Sequence, residues 1–193
     1  MSSNNIEIES KVLLSKSEAE KIIKKLNFPE KEIVQTNYYL DSDDRLLKKF
    51  DMICRVRVVD GVTRLTMKAP LSEGLLEKNQ SLNDKERDSL INHNIFPRGD
   101  ISDFLDTLHI DPQKLKVLAT LTSHRRMVEY RGTTLDMSKN VYGDKTDYEL
   151  ECDSDSAHKS ESTLREICDD FDIKFVLNLV SKENRAINAA LAK

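Results

Sequence analysis

Two β-rich runs, at 52–59 and 62–69, meet at Asp60-Gly61, and this juncture restricts the fold more than any other stretch of the chain. An Asp-Gly pair between β-prone segments is the strongest short-range hairpin signal, because both positions must accept positive φ. A two-residue turn sets Val59 opposite Val62, Arg57 opposite Arg64, Arg55 opposite Thr66 and Ile53 opposite Lys68. Arg55, Arg57, Arg64 and Lys68 then share one face, with Cys54, Val56, Val58, Leu65 and Met67 on the other. Like charges placed opposite one another weaken a sheet. Such a face is either bathed in water or waits for a polyanion, which Arg grips through paired N–H groups and Lys as a point charge.

Other segments repeat the alternation. In Glu7-Ile8-Glu9-Ser10-Lys11-Val12, two carboxylates and an ammonium take one side of a strand, while Ile6, Ile8 and Val12 take the other. Asp147, Glu149 and Glu151 form an acidic row backed by Tyr148, Leu150 and Cys152. Arg125 shares a face with Ser123 and Met127; Arg126 has the opposite parity, which makes Arg125 the candidate for a polar wall. Lys182 and Arg185, three apart at a helix start, point the same way. Basic rows and acidic rows on separate strands suggest faces that meet across an enclosed space, and a closed barrel gives inward residues one shared interior. Charges in a dry interior need partners. The pattern makes sense when the space is wet and filled by a divalent metal with a multiply charged anion.

The rest of the chain fits an α+β antiparallel architecture forming one domain over residues 1–193. Helical spacing follows Ser17 through Ala19, Ile22, Ile23 and Leu26 up to Pro29. Strands are expected at 33–41, 75–82, 115–130, 133–137 and 146–152, and helices at 83–93, 101–108, 158–171 and 183–192. Lys and Arg total 30 against 34 Asp and Glu, a net charge of −4 that speaks against nucleic-acid binding. No run reaches membrane-spanning length, and the N-terminus lacks a secretion pattern. Cys54, Cys152 and Cys168, odd in number and without a CxxC, fit reduced thiols in the cytoplasm. The C-terminal helix carries Ile187 and Leu191 on an apolar face that either packs on the barrel or makes a homodimer contact.

Glu7-x-Glu9-x-Lys11 opens an ordered series of motifs. It continues through Tyr38-Tyr39-Leu40-Asp41, Arg55-Val56-Arg57, Thr66-Met67-Lys68, Arg125, Leu135-Asp136, Asp147-Tyr148-Glu149-Leu150-Glu151 and Ser181-Lys182-Glu183-Asn184-Arg185. The series covers nearly the whole chain and resembles the CYTH superfamily, the triphosphate tunnel metalloenzymes, which include class IV adenylyl cyclases and thiamine triphosphatases. The likeness is to its compact bacterial, adenylate-cyclase-like branch. It implies a closed or nearly closed antiparallel β-barrel of about eight strands with flanking helices, the triphosphate tunnel.

Carried over by position, the resemblance implies that Lys11, Arg55, Arg57, Lys68, Arg125, Lys182 and Arg185 bind triphosphate oxygens. It also implies that Glu7, Glu9, Asp136, Glu149 and Glu151 coordinate Mg²⁺ or Mn²⁺, hard cations that favour oxygen ligands. Lys11, Glu7 and Glu9 are the residues expected at the chemistry itself. Many members place a second basic residue just before the position of Arg125, where this chain has Ser123 and His124. Glu77 falls where relatives often carry inward carboxylates, with Asn79 at the partner position; its role stays open, as do those of His124, Arg126 and Arg64. The activity implied is metal-dependent hydrolysis of a linear triphosphate, with inorganic tripolyphosphate preferred because no nucleobase-specific feature is visible. Open beside it are cyclisation of ATP to cyclic AMP and pyrophosphate, hydrolysis of a thiamine or nucleoside triphosphate, and polyphosphate or nucleotide binding without turnover. The chain has no Trp to stack on an organic ring.

Overall fold

The computed structural model describes residues 3–72 and 75–192, with main chain alone over 3–7. Alternating polarity becomes an antiparallel sheet built from β1 (Ser3–Glu7), β2 (Glu9–Leu14), β3 (Ile33–Asp41), β4 (Ile53–Val59), β5 (Val62–Pro70), β6 (Leu75–Ser81), β7 (Lys116–Tyr130), β8 (Thr133–Tyr142) and β9 (Lys145–Asp153). Their order is β1-β6-β5-β4-β3-β7-β8-β9-β2. The first and last strands of that order are consecutive in the chain, with Ile8 alone between them. One N-terminal segment therefore pairs with both ends of the sheet, β1 with β6 and β2 with β9, and curls it into a nearly closed barrel. Counting that segment once gives the eight strands expected. Among the described residues no ladder joins β2 to β6. Instead, the Asn178 N–H donates to the Lys11 carbonyl at 2.8 Å and Leu177 bridges to Val12, so the C-terminal segment lies along the open edge of β2.

The β4–β5 hairpin has the expected register, Arg57 opposite Arg64 and Ile53 opposite Lys68. Asp60 at φ 48° and Gly61 at φ 76° turn it, both positive as a two-residue turn of this hand requires. The apolar faces of the strands point outward and are covered by helices. Cys54, Val56, Leu65 and Met67 pack with Leu90 of α3 (Asp84–His93) and with Ile101 and Leu105 of α4 (Asp100–Thr107); between β3 and β4 lies the short α2 (Leu46–Lys49). Val12, Leu135, Leu150 and Cys152 pack with Ala19 and Ile22 of α1 (Lys16–Lys25) and Leu164 and Ile167 of α5 (Ala157–Asp170). The core is thus a shell outside the barrel, which leaves the inward faces free to be polar. At one end, inward-facing Tyr39, Ala119, Leu121 and Tyr142 pack on Ala186 and Ile187 of α6 (Lys182–Leu191), so α6 stoppers that end. Ile187 is buried against the barrel and Leu191 is exposed. No helix among the described residues is long and apolar enough to cross a membrane.

Apart from shifts of one residue at element ends, three features differ from the sequence reading. Helix α1 starts one turn edge earlier: Ser15, not Ser17, caps it, in a reciprocal capping box with Glu18. Strand β8 was expected to end at Met137 and runs on to Tyr142, because Ser138 and Asn140 face the lumen and stay paired to strands on both sides. The sequence reading had no helix between β3 and β4, where α2 forms. Asp41, fully buried, organises that turn: its carboxylate accepts N–H groups of Ser42 (2.8 Å), Leu47 (2.8 Å) and Lys48 (3.3 Å) and the Arg45 Nε–H at 2.9 Å. Replacing Asp41 by Ala strands these donors and a half-buried guanidinium. Urea unfolding of Asp41→Ala is expected to show a loss of about 3 kcal/mol or more relative to wild type.

Candidate active site

The lumen contains a cavity of about 310 Å³. Of the residues singled out from sequence, Glu9, Lys11, Arg55, Arg57, Lys68, Arg125, Glu151 and Lys182 line it. They come from β2, β4, β5, β7, β9 and the first turn of α6, and converge because the strand residues occupy inward positions and α6 begins over the same space. Asp136, Glu149 and Arg185 stand just behind this lining. Asp136, 1% exposed, accepts hydrogen bonds from Arg125 Nη2 and from the Ser138 hydroxyl at 3.0 Å. Arg185 reaches Glu149 at 2.8 Å and donates its Nε–H to Asp147 at 2.9 Å. The Glu7 side chain lies outside the described residues.

The acidic side of the lumen is wired to lysines. Lys11 Nζ is 2.8 Å from Glu9 and 3.8 Å from Glu151; Lys182 Nζ is 2.7 Å from Glu151 and 3.2 Å from Glu149. Burial alone would drive Lys11 toward neutrality, but Glu9 and Glu151 outweigh it and hold the ammonium's pKa above its ordinary value. Burial likewise pushes Glu151 up, and Lys182, Lys11 and Arg125 together overcome it, keeping that carboxyl ionised far below the usual range. Glu149, fully buried, goes the other way. Burial and the neighbouring Glu151 charge raise it although Lys182 and Arg185 pull it down. Asn178 donates to Glu149 Oε2 at 2.9 Å, whereas Oε1 accepts no well-aligned hydrogen bond.

The basic side carries one carboxylate among the described residues. Glu77 lies 3.3 Å from Lys68 and 3.8 Å from Arg55, which places it on the lumen wall and gives the residue left open by sequence a definite position. Arg57 has no carboxylate within ion-pair distance among the described residues; its Nε–H donates to the Asn37 amide oxygen at 3.1 Å. Burial first, then the Arg55 and Arg125 guanidiniums, press its pKa down to about 9, still cationic at neutral pH. Arg64 sits exposed near the hairpin end. His124 and Arg126 point out of the barrel, each 3.0 Å from Glu32, which removes both from the site.

Sequence reasoning passed over Gln35 and Asn37 and named Tyr39 only within the Tyr38-Tyr39-Leu40-Asp41 motif; all three line the cavity on alternate positions of β3. Parity could have found them, but they carry no charge to draw attention. Asn178 and the pairing role of Asp147 depend on where the C-terminal segment docks. Among the described residues no three carboxylate, His or Cys side chains converge closely enough to enclose a metal ion.

The CYTH domain profile matches residues 5–186 of this chain. The chain belongs to the CYTH domain family. A relative from Bacillus subtilis (strain 168), "Putative triphosphatase YjbK", is 31% identical over 172 residues, 89% of each chain. A solved structure from Bacillus halodurans described as a "putative adenylate cyclase" is 33% identical with a TM-score of 0.87, covering 94% of this chain and 97% of that one. The Hippeastrum protein HpAC1, described as a "putative adenylyl cyclase" with a dominant triphosphatase activity, shares the fold at a TM-score of 0.70 and 20% identity, covering 95% of each chain. The CYTH tunnel is thus the architecture that holds this charged lumen.

Lys182 is the cation shared by Glu149 and Glu151, and its loss has a definite pH signature. Glu151 has a depressed folded pKa, so its ion pairs contribute stability above the unfolded value near pH 4, a contribution that fades as pH falls. In Lys182→Met the two carboxyls lose that cation and take up a proton at higher pH. The variant is expected to be less stable than wild type by about 3 kcal/mol at pH 8, with the gap shrinking as pH falls toward 5, measured by denaturant unfolding across that range.

Proposed function

We propose that this CYTH protein hydrolyses a linear triphosphate, with inorganic tripolyphosphate as preferred substrate and Mg²⁺ or Mn²⁺ as cofactor. The observation that carries this reading is the imbalance across the lumen: a half-buried basic wall in which Arg57 meets no carboxylate at ion-pair distance among the described residues, facing a carboxylate row already engaged by lysines. A flexible polyanion is the ligand that such a wall would hold best. The activity in YjbK's description and that reported for HpAC1 agree with it.

The chemistry of the donor set suits a hard divalent cation, held in part through water because no three of the described carboxylates converge on one point. Its oxygens are carboxylates, and Glu149 Oε1 has spare acceptor capacity. Glu9, Glu149 and Glu151, joined by Glu7 and Asp136, would hold the metal. When bound, it would neutralise phosphate charge and lower the pKa of an attacking water. Arg55, Arg57, Lys68 and Arg125 would bind the phosphate chain and hold it in line, taking up charge on its equatorial oxygens as the bond breaks. Lys182, and Arg185 from behind it, would do so from the stoppered end. Lys11, kept protonated by Glu9 and Glu151, suits electrostatic stabilisation of the phosphate oxygens; its raised pKa makes it a poor base and an equally poor proton donor.

The test is phosphate release from tripolyphosphate with Mg²⁺ or Mn²⁺ between pH 7 and 9, run beside ATP, GTP and thiamine triphosphate, with cyclic AMP measured from ATP. Metal-dependent release that is fastest on tripolyphosphate is expected. Cyclic AMP as the main product would install the cyclase in its place, and tight triphosphate binding with no turnover under any condition would make the protein a binding module. Glu9→Ala and Glu149→Ala are expected to lower the metal-dependent rate at least ~100-fold while triphosphate binding falls far less.

A further inference from the structure

The inward face of β3 carries Gln35, Asn37 and Tyr39, a neutral row between the cations of β4 and β7. Asn37 lies opposite Arg57, is 1% exposed, and accepts the Arg57 Nε–H at 3.1 Å. Gln35, also buried, accepts from Arg125 Nη1 at 3.4 Å. Elsewhere in the lumen cations are held by carboxylates: Lys11 by Glu9, Arg55 and Lys68 by Glu77, Lys182 by Glu149 and Glu151. A carboxylate at position 37 would fit the same space and bind Arg57 more strongly, so its replacement by an amide is informative. An amide oxygen fixes the direction of a guanidinium without cancelling its charge.

We propose that Asn37 is a positioning residue that aims Arg57 at the phosphate oxygens of the substrate while leaving its positive charge uncompensated. Gln35 does the same, to a lesser degree, for Arg125, whose charge is already shared with Asp136. The inference rests on the triphosphate reading given above. It predicts a trade between stability and affinity at a single atom. Asn37→Asp keeps the shape and the acceptor, converts an ion–dipole contact into an ion pair, and places a negative charge beside the site where phosphate must enter.

The experiment compares wild type and Asn37→Asp in thermal unfolding, in calorimetric binding of tripolyphosphate without metal, and in steady-state phosphate release. Expected for the variant are a Tm equal to or above wild type, affinity weaker by about ten-fold or more, a matching rise in KM, and kcat within ~3-fold. Were Asn37 merely a structural support for Arg57, Asp would serve equally well, and unchanged affinity and KM in an active protein would overturn the proposal alone. If wild type neither binds nor cleaves tripolyphosphate, the triphosphate reading falls and this inference with it. Should Asn37→Asp not accumulate as folded protein, Gln35→Glu carries the same comparison, with an expected rise in KM of about 3-fold and an unchanged KM counting against the proposal.

Discussion

Pairing of inward charge across the lumen is the constraint on which this structure depends. Removing a carboxylate or an ammonium from water costs several kcal/mol unless a partner replaces the lost solvation, on the order of magnitude known for buried ions. The barrel meets that demand by bringing residues from distant parts of the chain into contact: Lys11 with Glu151, Lys182 with Glu149 and Glu151, Arg185 with Asp147, and Arg45, already held by nearby Asp41, with Glu183. Each of these pairs joins two elements or fixes one loop, so compensation of charge and construction of the wall are the same event. Among the described residues this pairing stops at Arg57, which is met by the Asn37 amide and by no carboxylate at ion-pair distance.

A polar interior inverts the usual arrangement of a small domain. The apolar residues have to be buried on the convex side of the sheet, which is why helices are needed around it and why two separate shells form, one under α3 and α4 and one under α1 and α5. Helix α6 is different. It packs against inward-facing apolar residues at one end and delivers Lys182 from its first turn, with Ser181 capping the helix start through the Asn184 N–H. Stoppering the barrel and completing the cation set are therefore coupled in a single element.

Much of this was legible in the chain. Strict alternation in 53–59, 62–68 and 147–151 identifies both the strands and their inward faces, and Asp60-Gly61 fixes the register that the structure shows. Legibility failed where polarity did not alternate with sign. Ser138-Lys139-Asn140 reads as a loop, because a sequence pattern cannot tell a wet lumen from bulk solvent. Asn37 and Gln35 carry no charge, and Glu77 pairs with two cations whose proximity depends on the β5–β6 register. The helix at Leu46–Lys49 exists because of one buried carboxylate, Asp41, whose bonds reach seven residues along the chain and leave no periodic signature.

The N-terminal segment that meets both ends of the sheet has a kinetic consequence. Its β2 half waits for β9, more than a hundred residues later, and the edge of β2 is covered by a stretch that comes later still. During synthesis β2 is thus among the last of these strands to find its neighbours, and the ring cannot shut until β9 and the stretch at 177–178 have been made. Loop closure over such separations is slow. Until then the chain carries an open sheet whose charged concave side is in water and whose greasy convex side has only part of its helical cover, the intermediate most exposed to aggregation.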